Sequence, residues 1–183
     1  MTVKRSLTLA TGLFILALAA GAQATTTTSS ETLEELSRLI EPLESLSPLA
    51  LALVIFLNNV LKVLGALVFG IALGIPSLLF VTGNGFILGT VAAEVASTKG
   101  YGLLIAGLVP HGVIEIPMLI LGTAVGFTVG WESLKWIFRR ESAVKATLVQ
   151  GLKRYGKWIV IGLLIAAAIE TFITPFVVHL VSG

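Results

Sequence analysis

Four long apolar runs constrain this chain more than any other feature. Leu49–Leu73, Ile75–Val95, Tyr101–Val129 and Trp158–Leu180 each approach or exceed the ~20 residues that a helix needs to cross a bilayer's hydrocarbon. A segment in lipid must pair its own backbone groups, so only helices and closed barrels can span. The runs lack the short alternation of barrel strands. The fold class is therefore all-α: a polytopic transmembrane bundle of about four spans, forming one domain over residues 48–183. Composition agrees: 56% of the 183 residues are hydrophobic and 12% charged, against about a quarter charged in a soluble domain. There is no cysteine, which excludes disulfides, iron–sulfur clusters and thiolate zinc sites.

Residues 1–24 read as a secretory signal peptide. Lys4 and Arg5 form its basic start, Leu7–Ala20 its apolar middle and Ala22-Gln23-Ala24 its cleavage site. The alternative is an uncleaved first helix, and both place residue 25 outside. Residues 25–47 form an extracytoplasmic amphipathic segment. In it Leu33, Leu36, Ile40 and Leu43 share a helical face, and Glu31, Glu34, Glu35, Glu41 and Glu44 oppose Arg38 alone.

Between the last two spans, residues 131–157 are expected as a loop. Lys135, Arg139, Arg140, Lys145, Lys153, Arg154 and Lys157 outnumber Glu132 and Glu141 there, which assigns it to the cytoplasm. Trp131, Trp136, Tyr155 and Trp158 sit where interfacial aromatics anchor flanking spans. Three spans then precede the loop and one follows, returning the C-terminus to the outside. The basic residues flank spans, so nucleic acid is not a partner. Breaks are expected where Val81-Thr82-Gly83-Asn84-Gly85 interrupts the second run and where Pro110 and Pro117 bend the third.

Polar side chains recur at one depth. Asn58, Asn59 and Lys62 lie near the middle of the first run, His111 and Glu115 near the middle of the third, and Glu170 halfway along the fourth. His111 and Glu115 are four residues apart, so they share a helical face. An isolated charge at a span centre costs on the order of 2.5–3.5 kcal/mol, so the expectation is one central polar cluster of these six. Asn84 is a turn residue or a ligand contact, and His179 falls half a helical turn from Glu170. The cluster admits three uses: a polar knot fixing helix register, a proton- or ion-coupled transport site, and an intramembrane metal-dependent hydrolase. A metal, if held, would take His111, Glu115 and Glu170; the second histidine of His-Glu-x-x-His is missing. No other cofactor is expected. Gly122, Gly126 and Gly130, with Gly70/Gly74, Gly85/Gly89 and Gly162/Ala166, have the small-residue spacing that lets helices approach closely, within a chain or between copies.

Pro110-His-Gly-Val-Ile-Glu-Ile-Pro117, Phe56-Leu-Asn-Asn59, Asn84-Gly85 with Gly89, and Ala168-Ile-Glu170 with Pro175 together resemble the stage II sporulation protein M family. The resemblance spans about residues 48–181 and picks out Asn58, Asn59, Asn84, His111, Glu115 and Glu170. It implies a multi-pass membrane protein; in endospore formers the namesake anchors two peptidoglycan-degrading partners. It establishes no catalytic activity. The functional expectation is a non-enzymatic membrane scaffold or assembly subunit whose partners are the bilayer and either another protein or a second copy.

Overall fold

The computed structural model describes residues 1–24, 45–139 and 143–183. Every regular element among them is helical: α1 (Val3–Ala24), α2 (Pro48–Phe69), α3 (Ile75–Thr98), α4 (Tyr101–Arg139), α5 (Val144–Gly151), α6 (Lys157–Ala168) and α7 (Thr174–Ser182). Two widened π turns, Leu152–Gly156 and Ile169–Ile173, join α5 to α6 and α6 to α7. Five rods among the described residues are long and apolar enough to cross a membrane: α1, α2, α3, α4, and the composite Val144–Ser182. The fifth, beyond the four apolar runs, is α1. The acidic helix expected between Glu31 and Leu46, apart from its end, and Arg140 and Glu141 lie outside the described residues.

Local chemistry explains the helix ends. The Ser47 hydroxyl accepts from Ala50 N at 3.4 Å and Pro48 occupies the first turn of α2, where its missing N–H costs nothing. The turn from α2 to α3 passes through Leu73 (φ 58°) and Gly74 (φ 78°). A left-handed leucine is uncommon, and Gly74 lets the turn lie flat on α4. A Cβ on Gly130 would fall 2.6 Å from the Gly74 Cα.

α4 touches each of the other six helices. In lipid the hydrophobic effect does not drive helices together, so close backbone contact has to. Gly126 lies under the Ser77 Oγ–Ala66 O hydrogen bond of 2.7 Å, and a Cβ there would sit 2.6 Å from that carbonyl. On the opposite flank α1 lies along α3, with Gly85 facing Phe14 O, Gly89 facing Leu18 O and Gly21 facing Phe86 O. The glycines of these faces are buried within the chain. Val63, Leu67, Val81, Val125, Ile159 and Leu163 fill the space between, all but inaccessible.

Two expectations need correction. α3 runs through Thr82-Gly83-Asn84-Gly85 without a break. Thr82 Oγ1 donates to Leu78 O at 2.8 Å and Asn84 Nδ2 to Phe80 O at 2.7 Å, so the polar side chains satisfy themselves on their own helix. α4 is helical on both sides of Pro110 and Pro117, so these prolines do not end it; each leaves one carbonyl a turn earlier without its usual donor, the local loss that bends a helix. The basic stretch 131–157 is mostly helical, since α4 extends to Arg139 and α5 resumes at Val144. Residues 131–150 contain no glycine or proline, so a helix already formed in the span propagates at little cost. The result is a helical hairpin projecting past the apolar region, with a 2.7 Å Glu132–Lys135 ion pair near its base.

Candidate functional site

α4 places His111 and Glu115 one turn apart between its two prolines. Glu170 reaches them from the π turn Ile169–Ile173. Pro175 explains that turn: it has no N–H to offer Thr171 O, and its ring crowds that carbonyl. The helix gains a residue there, as helices often do at functional sites. The Thr174 hydroxyl donates back to Ile169 O at 3.2 Å, while the buried Thr171 hydroxyl has no hydrogen bond among the described residues.

One ligand atom from each of His111, Glu115 and Glu170 lies within 4.8 Å of the others, and all three residues are half-buried. Thr174 Oγ1 lies 3.5 Å from His111 Nδ1. The same hydroxyl has the Ile169 carbonyl at 3.2 Å as the nearer acceptor. With the proton donated to Ile169 O the contact matches an Nδ1–H imidazole, and with the hydroxyl turned toward the ring it matches the other tautomer, so Thr174 orients the ring in either case. A cavity of about 230 Å³ adjoins His111 and Glu115. Phe14 of α1, Asn84 and Leu88 of α3, and Leu119 of α4 complete much of its wall. Asn84 is thus a helical wall residue with Oδ1 free among the described residues, rather than part of a turn. The arrangement can share a proton between carboxylates or ligate a cation.

The six expected residues do not form one knot. Asn58 and Lys62 are exposed and Asn59 is half-buried; Asn58 Nδ2 donates to Asn59 Oδ1 at 3.4 Å. Among the described residues no hydrogen bond or ion pair ties them to the other three, although Lys62 lies within electrostatic reach of Glu115. The reason is azimuth: Val63, Ala66 and Leu67 hold the packed face of α2, and at about 100° per residue Lys62 and Asn58 point away from it. His179 is exposed near the end of α7, apart from the site. Thr174 and Phe14 were not among the expected residues. Thr174 stands four positions after Glu170, a spacing that could have flagged it; nothing in the sequence singles out Phe14.

Comparison with known proteins adds the ancestry. An uncharacterized protein of Methanocaldococcus jannaschii is similar, with 28% identity over 122 residues, covering 65% of this chain and 68% of that protein. No solved structure matches. The family model described as Stage II sporulation protein M matches residues 7–175. That span takes in most of α1, the central helices and both carboxylates of the site. With nearly its whole length matched, the chain is a multi-pass membrane protein that belongs to the stage II sporulation protein M family.

Proposed function

We propose that this protein is a non-enzymatic membrane scaffold, an assembly subunit that holds a partner protein at the bilayer. The observation that carries this reading is the way α4 is locked to its neighbours by backbone-to-backbone contacts at Gly126 and Gly130. Such packing suits a rigid frame better than a machine that must rock between two states. The proposed sidedness has residue 25 and the C-terminus outside and the α4–α5 hairpin in the cytoplasm. It is supported by Met1–Val3, which share a recess with Glu132 and Arg154 at the hairpin's base. Lys4 and Arg5 therefore lie at the same end as Lys135, Arg139, Lys145 and Lys153, as the positive-inside rule requires. On this reading α1 is retained as a fifth span.

Cross-linking in native membranes followed by purification of the full chain tests the scaffold. Recovery of the same partner in stoichiometric amount across replicates is expected. Repeated recovery of the chain alone would sink the proposal. A second reading, proton- or ion-coupled transport, is favoured by the cavity beside His111 and Glu115. It predicts flux in liposomes that falls in Glu170→Gln; equal flux in both removes it.

A further inference from the structure

We infer that His111, Glu115 and Glu170 form a binding site for one divalent transition-metal ion of the Zn²⁺ or Mn²⁺ class, which pins α4 to the last span. The site is independent of the scaffold reading.

Four observations converge. First, three side chains from two separate elements bring ligand atoms within 4.8 Å of one another. Metal–ligand bonds of about 2.0–2.2 Å place adjacent ligand atoms of a tetrahedral shell roughly 3.3–3.6 Å apart, so side-chain rotations of about an ångström close the shell. Second, neither carboxylate has an ion pair or hydrogen bond among the described residues, where the sole ion pair is Lys135–Glu132. Two carboxylates so close inside a bilayer cannot both stay charged without company, because their repulsion is weakly screened there, and either a shared proton or a cation relieves them. A divalent ion neutralises both; a monovalent one leaves a net charge. Third, Thr174 Oγ1 lies 3.5 Å from His111 Nδ1 while bonding Ile169 O, so the imidazole is held through Nδ1 and its other nitrogen is left to face a ligand. Ligand histidines are held in this way, through the ring nitrogen that does not bind metal. Fourth, a cavity of about 230 Å³ is lined by two of the three residues, His111 and Glu115, and has room for water on that side of the site. The donor set of one imidazole and two carboxylates, without thiolate, suits Zn²⁺ or Mn²⁺ and disfavours Cu⁺; the imidazole disfavours Mg²⁺ and Ca²⁺.

The test uses the full chain, stripped with chelator, reconstituted in nanodiscs and titrated with Zn²⁺ and with Mn²⁺ by calorimetry. One ion per chain is expected, with thermal unfolding shifting upward as it binds. Thr174→Val, which loses only the positioning hydroxyl, should weaken binding about 10-fold or more. Glu170→Gln, checked for native helicity and monodispersity, should abolish the saturable uptake. X-ray absorption of the loaded wild-type protein should show one imidazole in a nitrogen and oxygen shell. The inference is overturned if the wild type takes up neither ion. It is equally overturned if Glu170→Gln binds both with wild-type affinity, which would leave an adventitious ion only. Neither result alters partner capture, so this site and the scaffold stand or fall separately.

Discussion

Ser6 Oγ and Thr128 Oγ1, 122 residues apart in sequence, lie 2.8 Å from each other in a buried contact between α1 and α4. Each hydroxyl also has a helical carbonyl to donate to, Thr2 O for Ser6 and Ala124 O for Thr128. Either can therefore supply the proton between them without leaving the other unsatisfied. Interhelical hydrogen bonds of this kind average about 0.6 kcal/mol in membrane proteins and reach roughly 1.7.

Ser6→Ala should therefore lower the thermal midpoint of the purified protein by a few degrees. The measurement also reports on α1. Were the leader removed from the mature protein, the substitution would leave the midpoint unchanged, and mass spectrometry would find an N-terminus near residue 25.

Substitutions of glycine should divide sharply by position. Gly126→Ala drives a Cβ to 2.6 Å from Ala66 O and into Ser77, contacts that only a backbone shift can relieve. Overpacking of this kind costs about 1–3 kcal/mol, and fluorescence-detected size exclusion should show a lowered midpoint and loss of the monodisperse peak. Gly83→Ala meets nothing within 4 Å on a helix and should gain about 0.5–1 kcal/mol. Equal behaviour of the two variants would contradict the packing described.

Pro175→Ala restores a donor for Thr171 O and should let the π turn relax toward a regular helix. Losing the extra residue rotates Glu170 relative to α7 and away from His111. The chain has no cysteine, so paired substitutions can read this out. A His111→Cys, Thr174→Cys pair should cross-link readily, and the yield should fall several-fold once Pro175→Ala is added. An unchanged yield would mean that proline does not maintain the turn.

Sidedness has a direct measurement. A single cysteine at Val181 should react with a membrane-impermeant maleimide on intact cells, whereas one at Lys145 should react only after lysis. The reverse pattern would invert the proposed topology.

Much of this architecture is legible in the sequence because lipid simplifies the problem. An apolar run of sufficient length can only be a helix, and His111 with Glu115 at one-turn spacing must share its face. Depth along a span can be counted, which is why Glu170 stands level with them. Azimuth cannot be counted without knowing which face packs, so Lys62 and Asn58 share the depth of the triad but not its location. Asn84 between glycines imitates a turn signal, yet its amide bonds within the helix, a choice that composition does not reveal. The basic stretch after Gly130 carries the charge of a loop and the residue preferences of a helix. Charge located it, and helix propagation decided its shape.

α4 extends for 39 residues, about 58 Å at 1.5 Å per residue, nearly twice the ~30 Å hydrocarbon thickness. Both His111 and Arg139 ride on that one uninterrupted rod. A push or twist delivered to the hairpin in water therefore travels along a single helix toward the imidazole and carboxylate deep in the lipid. On the way it meets Pro117, where a missing backbone hydrogen bond lets the rod give.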